Sequence, residues 1–83
     1  MEMCNFELGY DITNHILMVF KYGDIVDTIE DVELSEEQIE ELTTDVYMPY
    51  YFGLWDGDEL LSVNKSDIYG LIDEYSELED YFC

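Results

Sequence analysis

The side chains in this sequence that could do chemistry are carboxylates, and many stand in pairs one helical turn apart. Glu36 and Glu40 form one such pair and Glu37 and Glu41 another, at roughly 6 Å if the segment is helical. Glu33 precedes them. Asp27, Glu30 and Asp31 lie further upstream, Asp56, Asp58 and Glu59 crowd a turn, and Asp73, Glu74, Glu77 and Asp80 make a second stripe. Paired carboxylates can exchange protons, hold a divalent cation, or accept charge-assisted hydrogen bonds from Lys and Arg. The first role is not singled out, because 22 of 83 residues are acidic and pairs arise by composition alone. A calcium loop counted from Asp56 fails, since Leu60 stands at its fifth position and Asp67 at its twelfth, where oxygen ligands and a Glu are required. Nucleophilic catalysis lacks its parts. The one histidine, His15, sits among strand-forming residues and reads as a half-buried sheet histidine, and there is no phosphate loop or nucleophile elbow. No catalytic residue, metal ligand or cofactor is therefore assigned. The expectation is a protein that binds without catalysing, with Asp27, Glu30, Asp31, Glu33, Glu36, Glu37, Glu40, Glu41, Asp56, Asp58 and Glu59 as its contact surface.

The charge balance narrows the partner. Lys21 and Lys65 are the only basic side chains, and the formal net charge is −20. Direct nucleic-acid binding is excluded in practice, because phosphate contacts need Lys or Arg. An anionic membrane would repel such a surface. The longest apolar run, Ile16 to Phe20, suits a strand and is far below spanning length. Met1-Glu2-Met3-Cys4 has no basic region of a signal peptide, so a cytoplasmic location is expected. Cys4 and Cys83 lie at opposite ends in no metal-type spacing and read as free thiols, with a terminal disulfide as the alternative. Disorder is disfavoured by 48% hydrophobic and 16% aromatic residues with a single proline. Salt adaptation would explain the acids as a solvated coat, but not this many rings. The length fits one domain over residues 1–83.

The elements that must position these acids are legible in part. Ser35-Glu36-Glu37-Gln38 has capping-box form. Ile39, Leu42 and Val46 follow on one stripe, and Pro49 should end the helix near Tyr47. A second amphipathic helix is expected from Ser66 to about Phe82, on Ile68, Leu71, Ile72, Tyr75, Leu78 and Phe82. Strands are expected at His15 to Phe20, Ile25 to Val32, Tyr50 to Trp55 and Glu59 to Val63. Asp56-Gly57 reads as a type I′ hairpin. A further strand over Cys4, Phe6 and Leu8 should stop at Gly9. The fold class is α+β: a small antiparallel sheet of three to five strands packed against two amphipathic helices, in ββα-ββα order. Tyr47, Tyr50, Tyr51, Phe52 and Trp55 cluster around Pro49. Inward rings should fill the core, and an outward one could anchor a partner.

Charge density says what such a surface imitates. Area scaling gives roughly 5,200 Å² of folded surface, or about 260 Å² per net charge. Duplex DNA offers about 110 Å² per charge. Spread evenly, the acids fall short by a factor near 2.5; gathered on one half, they come within roughly 20% of DNA. In being small, very acidic, α+β, Tyr-rich and almost without Lys or Arg, the chain resembles the phage-encoded DNA-mimic inhibitors, which include anti-CRISPR, anti-restriction and uracil-DNA glycosylase inhibitor proteins. The resemblance covers the composition of the whole chain and carries no residue roles. It implies a monomer or homodimer in the host cytoplasm that occupies the nucleic-acid site of a basic host defence or repair protein, such as a CRISPR effector. The alternatives are an acidic adaptor or chaperone-like module for a basic protein, and a low-affinity divalent-cation binder.

Overall fold

In the computed structural model, which describes residues 6–47 and 50–81, three strands precede the first helix. These are β1 (Phe6–Asp11), β2 (Ile16–Lys21) and β3 (Asp24–Ile29), followed by α1 (Glu36–Leu42). The second half supplies β4 (Tyr51–Asp56), β5 (Glu59–Lys65), α2 (Tyr69–Glu74) and a 3-10 helix (Ser76–Asp80). The fold is α+β, with one five-stranded sheet in the order β3-β2-β1-β4-β5.

The sheet is mixed, not antiparallel throughout. β1 and β4 pair in parallel at its centre, with Leu8 opposite Phe52 and Tyr10 opposite Leu54; the other pairings are antiparallel. The expected ββα-ββα order is corrected for the same reason. With three strands before α1, β3 leaves the sheet at the end where β1 also leaves it. The connection through α1 carries the chain back, as a parallel pairing requires. β4 then starts beside the start of β1.

The N-terminal strand does not stop at Gly9 but runs through it. A Cβ on Gly9 would lie 2.7 Å from Phe20 Cε2 and 3.1 Å from Trp55 Nε1. The glycine is there to admit two rings, not to end a strand. His15 is likewise not a sheet histidine. It is exposed in the turn before β2 with φ 56°, its Nδ1 3.4 Å from the Tyr10 hydroxyl. In the β2–β3 turn both central residues have positive φ, Tyr22 at 53° and Gly23 at 85°, the type I′ pattern. The β4–β5 turn departs from the type I′ expectation. Gly57 (φ 61°) takes its first central position and Asp58 does not have positive φ, the glycine-first pattern of type II′.

Both helices are shorter than their periodicity suggests. The capping box of α1 is formed: Gln38 N donates to Ser35 Oγ (3.2 Å) and Ser35 N to Gln38 Oε1 (3.0 Å). Past Leu42 the Thr43 and Thr44 hydroxyls turn back onto the Ile39 and Glu40 carbonyls, each at 2.8 Å. The ladder ends because Val46 N–H donates to Lys65 O at 2.9 Å while the Leu42 carbonyl takes the Ser66 hydroxyl. Val46 is therefore off the stripe and 40% exposed. The expected Ser66–Phe82 helix is also corrected. Ser66 and Asp67 precede it, since Ser66 N–H is committed to Tyr50 O at 3.0 Å and its hydroxyl donates to Leu42 O. The chain breaks again at Tyr75 (φ −116°, ψ 87°) before the 3-10 turn. Ile68, Leu71, Ile72 and Leu78 are nevertheless buried as their spacing predicts. Cys4, Pro49, Phe82 and Cys83 lie outside the described residues, and so do the expectations placed on them.

The core lies on one face of the sheet. Leu8, Tyr10, Leu17, Val19 and Phe52 meet Val32, Leu42, Ile68, Leu71 and Leu78 there. By register, Phe20, Gly9, Gly53, Trp55, Leu60 and Val63 share the opposite face, where Leu60 and Val63 are nearly half exposed. Among the described residues no helix is long and apolar enough to cross a membrane.

Candidate functional site

The acids expected to form one surface fall into three sets. The first is built on α1. Its capping box fixes the start of the helix, buried Leu42 pins its end, and the Ser66 hydroxyl ties the α2 approach to the Leu42 carbonyl. Exposed Glu37, Glu40 and Glu41 thereby face Asp67, and the four line an open hollow of about 710 Å³ with Thr44, Val46 and Gly70. Asp67 is held by accepting from Tyr69 N at 3.1 Å. Asp45 accepts from Asn64 Nδ2 (3.2 Å) and Lys65 N (3.1 Å), which fastens the exit of α1 to the end of β5. Gln38 Nε2 donates to Glu74 Oε2 at 3.4 Å across the two helices.

The second set lies at the other end of the sheet. β1 and β4 run parallel, so the turn after Asp11 and the Gly57-Asp58 turn leave at the same end. They are sewn together there. Asp11 is buried and accepts from Thr13 N (2.9 Å), Asn14 N (3.1 Å), Asn14 Nδ2 (2.7 Å) and Gly57 N (3.1 Å). Burial pushes its carboxyl up, but these hydrogen bonds outweigh that and hold it at about 2. Asp56 accepts from the Thr13 hydroxyl. Asp58 and Glu59 are exposed at the hairpin tip. Glu30, Asp31 and Glu33 sit exposed on the β3–α1 connection at this same end, where Val32 N donates to His15 O at 3.0 Å. Asp31 holds a φ of 58°.

Asp27 stands apart from both. It accepts from the Tyr81 hydroxyl at 2.8 Å, a bond that pushes the Tyr81 hydroxyl up from its ordinary range. Its role is to clamp the 3-10 segment to the sheet. Glu36 is exposed at the start of α1 but does not line the hollow.

Of the acids expected at the contact surface, the hollow brings together Glu37, Glu40 and Glu41 and adds Asp67, which the sequence offered as the misfitting twelfth position of a calcium loop. Among the described residues no group of three His, Cys, Asp or Glu side chains is placed to hold a metal ion. Of the aromatic stretch, Tyr50 and Phe52 fill the core, Trp55 is half-buried, and the outward rings are Tyr47, fully exposed, and Tyr51, 42% exposed. Compared with known proteins, the chain matches no family model, no curated protein and no solved structure.

Proposed function

We propose that the protein is an inhibitor that docks its acids into the basic nucleic-acid-binding site of a host defence or repair protein, a CRISPR effector being the leading target class. The observation that carries this reading is the open hollow lined by Glu37, Glu40, Glu41 and Asp67. The backbone that carries these carboxylates is set by a capped helix and by buried Ser66 bonded to the Leu42 carbonyl, so little backbone ordering is needed when Lys or Arg side chains enter. Charge-assisted bonds from a preformed basic groove would satisfy them. The mimicry is local, since the surface as a whole is less dense in charge than DNA.

The distribution of acids over separate sets favours one second reading, an acidic adaptor that holds a basic protein and leaves its nucleic acid bound. Neither reading uses catalysis. One experiment separates them. The protein is added at about 50 mM salt, where such contacts are strongest, to CRISPR effectors, restriction enzymes and uracil-DNA glycosylase carrying labelled nucleic acid. Inhibition predicts binding with release of the label. Binding with the label retained supports the adaptor, and no binding across the panel removes the proposal.

A further inference from the structure

The face of the sheet opposite the helices carries a second feature that the acidic hollow does not explain. Gly9 and Gly53 are directly paired across β1 and β4. The Nε1–Cδ1 edge of Trp55 drops over both, with Nε1 3.1 Å from where either Cβ would be. Phe20 packs beside it, the two rings 5.9 Å apart and inclined by 16°. Leu60 and Val63 complete a wall, and exposed Glu7 stands at the same hollow, whose volume is about 170 Å³. At ~30 Å³ per water, that is room for about five or six waters. It suits one long side chain and is too small for a drug-sized ligand.

A pocket with aromatic and aliphatic walls and one carboxylate selects a side chain with an apolar stem and a cationic head. The charge balance chooses its source. A second copy of this chain would bring another net −20, and nucleic acid is repelled by the same charge. A basic protein is attracted. Arginine fits better than lysine, because its planar, weakly hydrated guanidinium can stack on a ring and still bond a carboxylate. The protein's own cations show the same preference for rings. Lys21 lies 5.2 Å from the Phe6 centroid, and Lys65 lies 5.7 Å from that of Tyr51. Lys65 is on the pocket's face, two residues beyond Val63 on β5, with its ammonium over Tyr51.

We propose that this pocket takes an arginine side chain projecting from a basic partner, with Glu7 bonding the guanidinium and Phe20 and Trp55 stacking along it. The proposal rests on the reading above that the partner is a basic protein, and adds a specific anchor on a different face. The test is an NMR titration of the intact protein with a short arginine–glycine peptide and its lysine–glycine counterpart at about 50 mM salt. The expected result is saturable shifts at the Trp55 indole N–H and the Gly9 and Gly53 amides, tighter for arginine, with E7Q about tenfold weaker. W55F, which keeps an aromatic face for the guanidinium, should weaken binding less than E7Q. Binding with shifts confined to the Glu37–Glu41 segment and Asp67 would overturn the pocket while leaving the acidic hollow in place. Equal response to both peptides, or Trp55 shifts that follow protein concentration without peptide, would also overturn it, the latter by marking a second copy as occupant. No binding of either peptide removes the arginine pocket, whereas the basic-partner reading stands or falls on the displacement panel above.

Discussion

Asp11 shows how one acid among 22 can belong to the scaffold instead of the surface. Its four hydrogen bonds join the turn after β1 to the β4–β5 turn, and they stabilise the charged form. The folded-state value of about 2 lies below the ordinary 3.8. A depressed carboxyl contributes stability that is present above the unfolded value and is lost as pH falls through the folded one. D11A should therefore cost about 2 kcal/mol near neutral pH. The gap to the parent protein should narrow between about pH 4 and pH 2, measured by urea unfolding at each pH; a gap that stays constant with pH would mean the charge is not what matters. Nothing in the sequence marked Asp11 off from its neighbours. Its partners Thr13 and Asn14 are adjacent, but Gly57 is 46 residues away, and a long-range contact leaves no local pattern. Glu37, Glu40 and Glu41 were legible because helical spacing is local. Asp67 was not, because only the tertiary packing of Ser66 on Leu42 brings it to α1.

At the scale of elements, periodicity identified which residues are buried better than where helices end. Ile68, Leu71, Ile72 and Leu78 all reach the core, yet the chain there is two short pieces joined at Tyr75. The hydrophobic spacing survives a break, and side-chain competition for carbonyls at Thr43 and Thr44 is invisible to it. The parallel β1–β4 pairing was missed because it depends on counting strands. Gly9 read as a terminator when it is the floor beneath two rings. Two glycines should therefore respond with opposite sign. G9A puts a methyl against Phe20 and Trp55 and should destabilise by about 1–3 kcal/mol. G70A meets nothing within 4 Å on α2 and should stabilise by about 0.5–1 kcal/mol. Urea midpoints of the two variants check both, and equal shifts would contradict the placement of either residue.

For the whole molecule, a surface of 5558 Å² shared by 20 net negative charges gives about 280 Å² per charge. That is about 2.5 times sparser than DNA at ~110 Å². Eleven of the 22 acids lie in the helix-bearing segments from Glu36 to Asp45 and Asp67 to Asp80. The rest include the hairpin and β3–α1 acids at the far end of the sheet. The concentration on one half that full mimicry would need is not what the fold provides. Recognition must then come from particular carboxylates, and the α1 hollow is where the account places them. The most direct measurement is nucleic-acid displacement from a responding basic protein, read between about 50 and 200 mM salt for the parent protein and for E37K/E40K. The parent should lose affinity steeply with salt. The double reversal should bind at least tenfold more weakly at low salt, with an unchanged urea midpoint. Affinity indifferent both to salt and to the reversal would contradict that placement.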